Sequence, residues 1–326
     1  MTSERPLITI LTLSYHSPDL MGCIDSILEQ TYPRIQYIIV DDGTEDFDKG
    51  YVENYINEKQ NGNIEELIVI KNQKNQGTVK ASNIALKNAK GDIIFNLAGD
   101  DQFFDKKVIE DWVEAFQKSG AMVMTAYRMV YDQELKKKIN IAPLKSEVKL
   151  IKKCGPEELF EKIAAKNIIF GCCTAQTKKA YEEYGLHDER YKLIDDHPYY
   201  LTLLRKGQKI EFFDRIVVKY RQGGVSYSKN IDKIYYKDAD SIIKNEVLPY
   251  VSNPKKIQKQ YKNWKKDMEW GAKVANHREK EKRYSKKKIA LFFIKALFAI
   301  KNPRRAFKKI AKTITREYVK EIKSKR

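Results

Sequence analysis

The chain has 326 residues, 42% of them hydrophobic, with 62 Lys+Arg against 44 Asp+Glu and a net charge of +18. That apolar content builds a core easily and excludes a wholly disordered chain. Four cysteines without a CxxC or a His/Cys cluster at zinc spacing exclude a disulfide framework and a zinc module; they read as reduced cytoplasmic thiols at buried positions.

The charge is uneven. After residue 250, 26 basic residues face 6 acidic ones, a net of +20, so the first 250 residues carry −2. A nearly neutral body carries a basic extension. Apolar residues begin at Leu7 in a β-rich run rather than in a signal-peptide pattern. No stretch of about 18 apolar residues occurs, so no spanning helix is expected.

In chain order, Leu7 to Ser14 reads as a strand buried on both faces, and Asp19 to Gln30 as a helix stopped by Tyr32-Pro33. Tyr37 to Val40 is a second strand ending in Asp41-Asp42-Gly43. A helix follows around Tyr51 to Glu58, then a strand at Leu67 to Ile70. Val79 to Ala89 is a helix closed by Gly91, and Asp92 to Leu97 is a fourth strand. Strands alternating with helices predict right-handed βαβ units and a parallel sheet, whose ligands bind at the carboxyl ends of the strands. Beyond residue 120 the pattern is mixed. Strands are expected over Ala121–Tyr131, Ile168–Ala175 and Glu211–Arg221, a turn or hairpin over Gln133–Lys138, and helices over Pro156–Ala165 and Asp195–Lys206. After about Ser228 the chain reads as nearly all helix, broken at Asn253-Pro254.

Three acidic pairs fall at loop positions: Asp41-Asp42, Asp100-Asp101 and, opening a helix, Asp195-Asp196. One such pair is unremarkable, because Asp favours turns and N-caps. Three on one α/β body suit a divalent cation bridging phosphates, with a further carboxylate held off the metal as general base.

Ile8 to Asp46 resembles the opening of the family 2 inverting glycosyltransferases: strand, a small-Tyr turn (Ser14-Tyr15), a helix ending in Q-T-Y-P, then V-D-D-G. Asn75-Gln76-Gly77 with Asn83 resembles the family's N-x-G…A-x-N segment, and Ile94 to Asp101 its strand leading to the D-x-D metal site. Asp195 to Gly207 resembles its acidic-start helix, and Tyr220 to Gly224 its closing segment. The resemblance implies the GT-A fold, a Rossmann-like mixed sheet flanked by helices, over residues 1–228. It departs at Ala98 and His16, where many members carry Asp and Asn, and near Gly223, where many carry His.

The resemblance also implies roles. Ser14, Tyr15, Asp41, Asp42 and Asp100 would bind the nucleotide-sugar donor: Asp42 at the base with Tyr15 near the same ring, Asp41 orienting its turn and Asp100 at the ribose. Beside the resemblance, Lys80 on a helix near Gly77 is a candidate phosphate contact, with an ordinary solvated lysine as the alternative, and Arg221 is a candidate for the diphosphate where the family carries His. Asp101 with Asp100 would hold Mn²⁺ or Mg²⁺, and Asp196 would deprotonate the acceptor hydroxyl.

Residues 229–326 form the basic helical region. Ile289 to Ile300 would span about 18 Å as a helix, short of a hydrocarbon core of roughly 30 Å. After Asn302-Pro303, an apolar stripe through Phe307, Ile310, Ile314 and Tyr318 is flanked by Lys and Arg, the pattern of an interfacial helix on an anionic membrane. Packing of these helices on the body is the alternative. Nucleic acid is not an expected partner, since the most basic stretch lacks interleaved stacking aromatics. The expectation is a cytoplasmic enzyme, peripheral on the inner face of the membrane, acting on a lipid-linked glycan. Two other readings stand beside it. One is a nucleotidyl- or phosphosugar-processing enzyme, which would need a Gly-rich basic loop that Leu13 to Pro18 lacks. The other is a non-enzymatic membrane- or nucleic-acid-binding module with structural acidic turns.

Overall fold

A computed structural model describes residues 5–223 and 233–269. The sequence opens as β1 (Ile8–Ser14), α1 (Leu20–Leu28), β2 (Ile35–Asp41), α2 (Lys49–Lys59), β3 (Ile64–Lys71), α3 (Thr78–Asn88) and β4 (Ile93–Asn96). These four strands are all parallel, in the order β3-β2-β1-β4, with Ile8 opposite Ile35 and Ser14 opposite Asp41. Alternate side chains leave opposite faces. Ile8, Ile10, Tyr37 and Ile39 enter one core with α1 and α2, while Leu11, Ile38 and Val40 enter the other with α3. That two-sided burial explains why these strands read as continuous apolar runs.

The second half turns the sheet mixed. β5 (Gln102–Phe103) and α4 (Val108–Ser119) precede β6 (Val123–Tyr131) and the edge hairpin strand β7 (Lys138–Ala142). Then come α5 (Lys145–Lys153), α6 (Pro156–Ile163), a 3-10 turn (Gly171–Cys173), β8 (Thr174–Thr177), α7 (Lys178–Tyr184), α8 (Asp196–Arg205) and β9 (Glu211–Arg221). β8 runs antiparallel to both β4 and β6, and β6 is parallel to β9. α4 drives Trp112 against Phe95, Phe116 and Phe213, anchoring the helix under the sheet.

One expected strand is different. Ile168 to Ala175 is not a single strand: Gly171–Cys173 is a 3-10 turn and only Thr174–Thr177 pairs. The backbone N–H of Gly171 is spent on the Asp196 carboxylate and that of Ile169 on Asn167 Oδ1, so neither is free for a ladder.

Past β9, α9 (Lys233–Ile242) runs into a π-helical turn (Ile243–Val247), and a further helix covers residues 254–269. Residues 1–268 cluster as one compact unit, so α9 belongs with the body beyond residue 228. The run from Ile289 to Ile300 and the amphipathic helix after Asn302-Pro303 lie outside the described residues. Among the described residues, no helix is long and apolar enough to cross a membrane.

α9 also shapes the loop before α8. Asp238, 5% exposed, accepts hydrogen bonds from the backbone N–H groups of Lys192 (2.8 Å), Leu193 (2.6 Å) and Ile194 (3.3 Å). Leaving such buried donors unpaired costs about 1–3 kcal/mol. Asp238→Ala should lower stability by about that amount, seen as a lower urea midpoint with an unchanged slope. An unchanged midpoint would show that the loop holds without it.

Candidate active site

The carboxyl ends of β2 and β4, with the start of α8, supply the acidic residues, and the end of β1 supplies Ser14 and Tyr15. At the β2 end, Asp42 N donates to Ser14 O at 2.8 Å. Asp41 Oδ1 accepts from Gly43 N (3.1 Å) and Thr44 N (2.8 Å), which closes the turn, while its Oδ2 is buried without a partner. Gly43 has φ +91°, and a Cβ there would lie 2.6 Å from the Lys74 carbonyl carbon. Only glycine fits that turn. The Asp42 carboxylate accepts from Asn72 Nδ2 (2.9 Å), Gln76 N (3.0 Å) and Gly77 N (2.8 Å), so it ties the β3–α3 loop to the end of β2.

Tyr15 is half exposed at this edge, with the His16 ring against it. A cleft of about 400 Å³ opens here, lined by Ser14, His16, Asp41, Thr44, Phe47 and Tyr51. Phe47 and Tyr51 were not singled out from the sequence, because an aromatic in a loop or on the first turn of α2 has no distinguishing pattern. Lys80 is exposed on α3 and makes no ion pair among the described residues.

At the β4 end the backbone continues along β1, with Leu97 N on Leu11 O and Gly99 N on Leu13 O, both 2.9 Å. A Cβ at Gly99 would meet Ser17 Oγ at 2.8 Å and the Leu13 carbonyl oxygen at 3.2 Å, so the chain passes close to β1 here. It delivers Asp100 and Asp101 to the end of the strand. Asp101 is 1% exposed; Oδ1 accepts from Arg221 N at 2.8 Å, and Oδ2 is buried without a partner. Burial raises the pKa of Asp100, and raises that of Asp101 well above the carboxylate range.

Arg221 sits differently from the expectation of a free phosphate ligand. Its Nε donates to Asp100 O at 2.8 Å, Nη1 to Gln133 O and Nη2 to the Asp19 carboxylate. All three nitrogens are engaged within the protein, so the side chain knots β9 to the Asp100-Asp101 turn and to the N-cap of α1.

Asp195 occupies the N-cap of α8 without capping through its side chain, and Asp196 is the first helical residue. Asp196 Oδ2 accepts from Asn167 Nδ2 (3.1 Å) and Gly171 N (3.3 Å), and Oδ1 from His197 N (2.6 Å). Three donors fix the carboxylate in orientation. Burial first, and then the Asp195 charge, raise its pKa; burial also raises that of Asp195. His197 is held neutral by burial, pushed down to about 4, with Nε2 at 3.0 Å from Ile163 O.

One residue was missed. Arg128 on β6 lies between the Phe170 and Tyr220 rings, 3.7 and 4.0 Å from their centroids. The only signal in the sequence was a cation inside the strand V-M-T-A-Y-R-M-V-Y.

A model of glycosyl transferase family 2 matches residues 9–185. The chain belongs to that family. TuaG of Bacillus subtilis (strain 168), named for teichuronic acid biosynthesis, is 28% identical over 232 residues, covering 71% of this chain and 84% of TuaG. WfaP of Escherichia coli, named as a UDP-Glc:alpha-D-GlcNAc-diphosphoundecaprenol beta-1,3-glucosyltransferase, is 27% identical over 227 residues, 69% of this chain and 80% of WfaP. Among solved structures, S. aureus TarS 1-349 in complex with UDP-GlcNAc superposes with a TM-score of 0.57 at 16% identity, covering 78% of this chain and 70% of TarS 1-349. That likeness carries the fold, which is the expected GT-A arrangement of a mixed sheet flanked by helices. Family membership makes the chain a glycosyltransferase and sets aside a non-enzymatic module with structural acidic turns.

Proposed function

We propose that this family 2 glycosyltransferase moves one sugar from a UDP-sugar to a hydroxyl of a lipid-linked glycan, with inversion, during surface polysaccharide assembly. The observation that carries the reading is the pairing of an oriented base with an unsatisfied acid: Asp196 is held by three donors, and Asp101 keeps a buried oxygen without a partner. UDP as the nucleotide is supported by the donors in the names of WfaP and the TarS complex, and a lipid-linked acceptor by that of WfaP.

In this reading the base of the donor lies by Tyr15, with Ser14, Asp41 and Asp42 shaping its edge, and the ribose by Asp100. Asp196 accepts the proton of the acceptor hydroxyl as its oxygen attacks the anomeric carbon. The bond to the diphosphate breaks with its electron pair going to the leaving oxygen. One displacement inverts the anomeric configuration, so no enzyme nucleophile is needed.

Among the described residues, no three acidic, His or Cys side chains converge as a metal cage. Mg²⁺ and Mn²⁺ at such sites need only one or two carboxylates besides substrate phosphates and water. The unpartnered Asp101 Oδ2, with Asp100 beside it, fits that requirement. Asp101 with Asp100 would hold a divalent cation there, which would supply positive charge against the departing diphosphate. In this reading the basic charge of the sequence after residue 269 attracts the enzyme to an anionic inner membrane face, near its acceptor.

The test is a panel of UDP-, GDP- and dTDP-sugars with Mn²⁺, scored for nucleoside diphosphate release and for the anomeric configuration of the product. Release from a UDP-sugar, with an inverted product, is expected. Release from none, or a retained configuration, would contradict the reading.

A further inference from the structure

Arg128 acts electrostatically on Asp101 and Asp196 but pairs directly with neither. Two aromatic faces flank its guanidinium, which supplies cation–π attraction but no hydrogen-bond acceptor. Nε is buried and bonds nothing; Nη1 reaches only the Cys172 thiol at 3.5 Å. No carboxylate among the described residues lies within ion-pair distance of it. A partly buried guanidinium without a counter-charge is costly and normally acquires one.

Its two aromatic walls connect it to the acidic residues of the site. Phe170, one wall, precedes Gly171, whose N–H holds the Asp196 carboxylate. Tyr220, the other wall, precedes Arg221, whose N–H holds Asp101 Oδ1. Arg128 therefore stands between the residue proposed as base and the residue proposed for the metal, where the bond to the leaving group would break.

We propose that Arg128 is a phosphate ligand of the donor, donating hydrogen bonds to non-bridging oxygens of the diphosphate, the phosphate next to the sugar above all. The inference rests on the nucleotide-sugar reading and adds a protein cation that acts whether or not a metal is bound. When the acceptor oxygen bonds to the anomeric carbon, the electron pair of the broken bond moves onto the diphosphate, and the fork takes up that charge. The rings hold the guanidinium flat and in place, so little side-chain freedom is lost when the anion arrives.

Calorimetric titration in EDTA of uridine, UMP and UDP, with guanosine, GMP and GDP alongside, tests this on the full chain. Wild type should bind the diphosphate more tightly than the nucleoside. Arg128→Gln should keep the nucleoside affinity and lose about 10- to 100-fold on the diphosphate, the range of charge-assisted hydrogen bonds. Arg128→Lys, which keeps the charge but not the fork, should fall between. An Arg128→Gln protein binding the diphosphate as tightly as wild type would overturn the proposal. So would equal losses on nucleoside and diphosphate in both variants, since that marks a structural role. Wild type binding no nucleoside or nucleotide of either base would instead overturn the nucleotide-sugar reading itself.

Discussion

Asp196→Asn should lower sugar transfer on the order of 10²–10⁴-fold, the usual contribution of a general base, with donor affinity nearly unchanged. Asn preserves the volume and an acceptor oxygen at the start of α8 but takes no proton. The same carboxylate sets the acid limb of the pH profile. It must be ionised to accept a proton, and its pKa is raised by burial and by Asp195. A raised pKa moves the limb upward, so kcat should fall as pH drops from neutrality and before the ordinary carboxylate range of about 4 is reached. Asp196→Asn should remove that limb from any residual activity. Transfer at the wild-type rate, or a wild-type profile flat down to the carboxylate range, would reduce Asp196 to a structural first-turn acid.

Asp101→Asn is expected to cost on the order of 10²–10³-fold in turnover, comparable to losing one electrostatic stabiliser of a transition state. Asn can still accept from Arg221 N, so the end of β9 stays in place while the oxygen that could ionise on binding a cation is lost. Donor binding should weaken in Mn²⁺ and differ little from wild type in EDTA. Wild-type activity should itself fall in chelator and return with Mn²⁺ or Mg²⁺. Undiminished wild-type activity in EDTA would refute the metal assignment for Asp101.

Much of the parallel half was legible because burial on both faces leaves a local signature. β1 and β2 are continuous apolar runs, and the acidic turns follow them directly. α4 carries an equally clear helical pattern in Val108, Ile109, Trp112, Val113 and Phe116. The break at Gly171 was not legible, since it depends on a donor used by Asp196, 25 residues later. Of the candidate site, the three acidic pairs were readable from their positions after strands and at a helix start. What could not be read was which cations stand free. Arg221 looks available in sequence but is consumed by Asp19, Asp100 and Gln133. Arg128 looks like an ordinary strand residue and stands unpaired, because only the pairing of β6 with β8 and β9 brings Phe170 and Tyr220 around it.

In the proposed mechanism one nucleotide diphosphate is held between Asp101 and Arg128 at the carboxyl ends of the strands. Anomalous scattering from Mn²⁺ in a crystal of the enzyme with UDP measures this directly. The account predicts a single metal peak about 2.1 Å from Asp101 Oδ2, the range of hard-cation oxygen ligation, bridged to the diphosphate, with Arg128 on a phosphate oxygen and the base beside Tyr15. A nucleotide bound with its phosphates away from Asp101 and Arg128, or a metal held elsewhere, would contradict it.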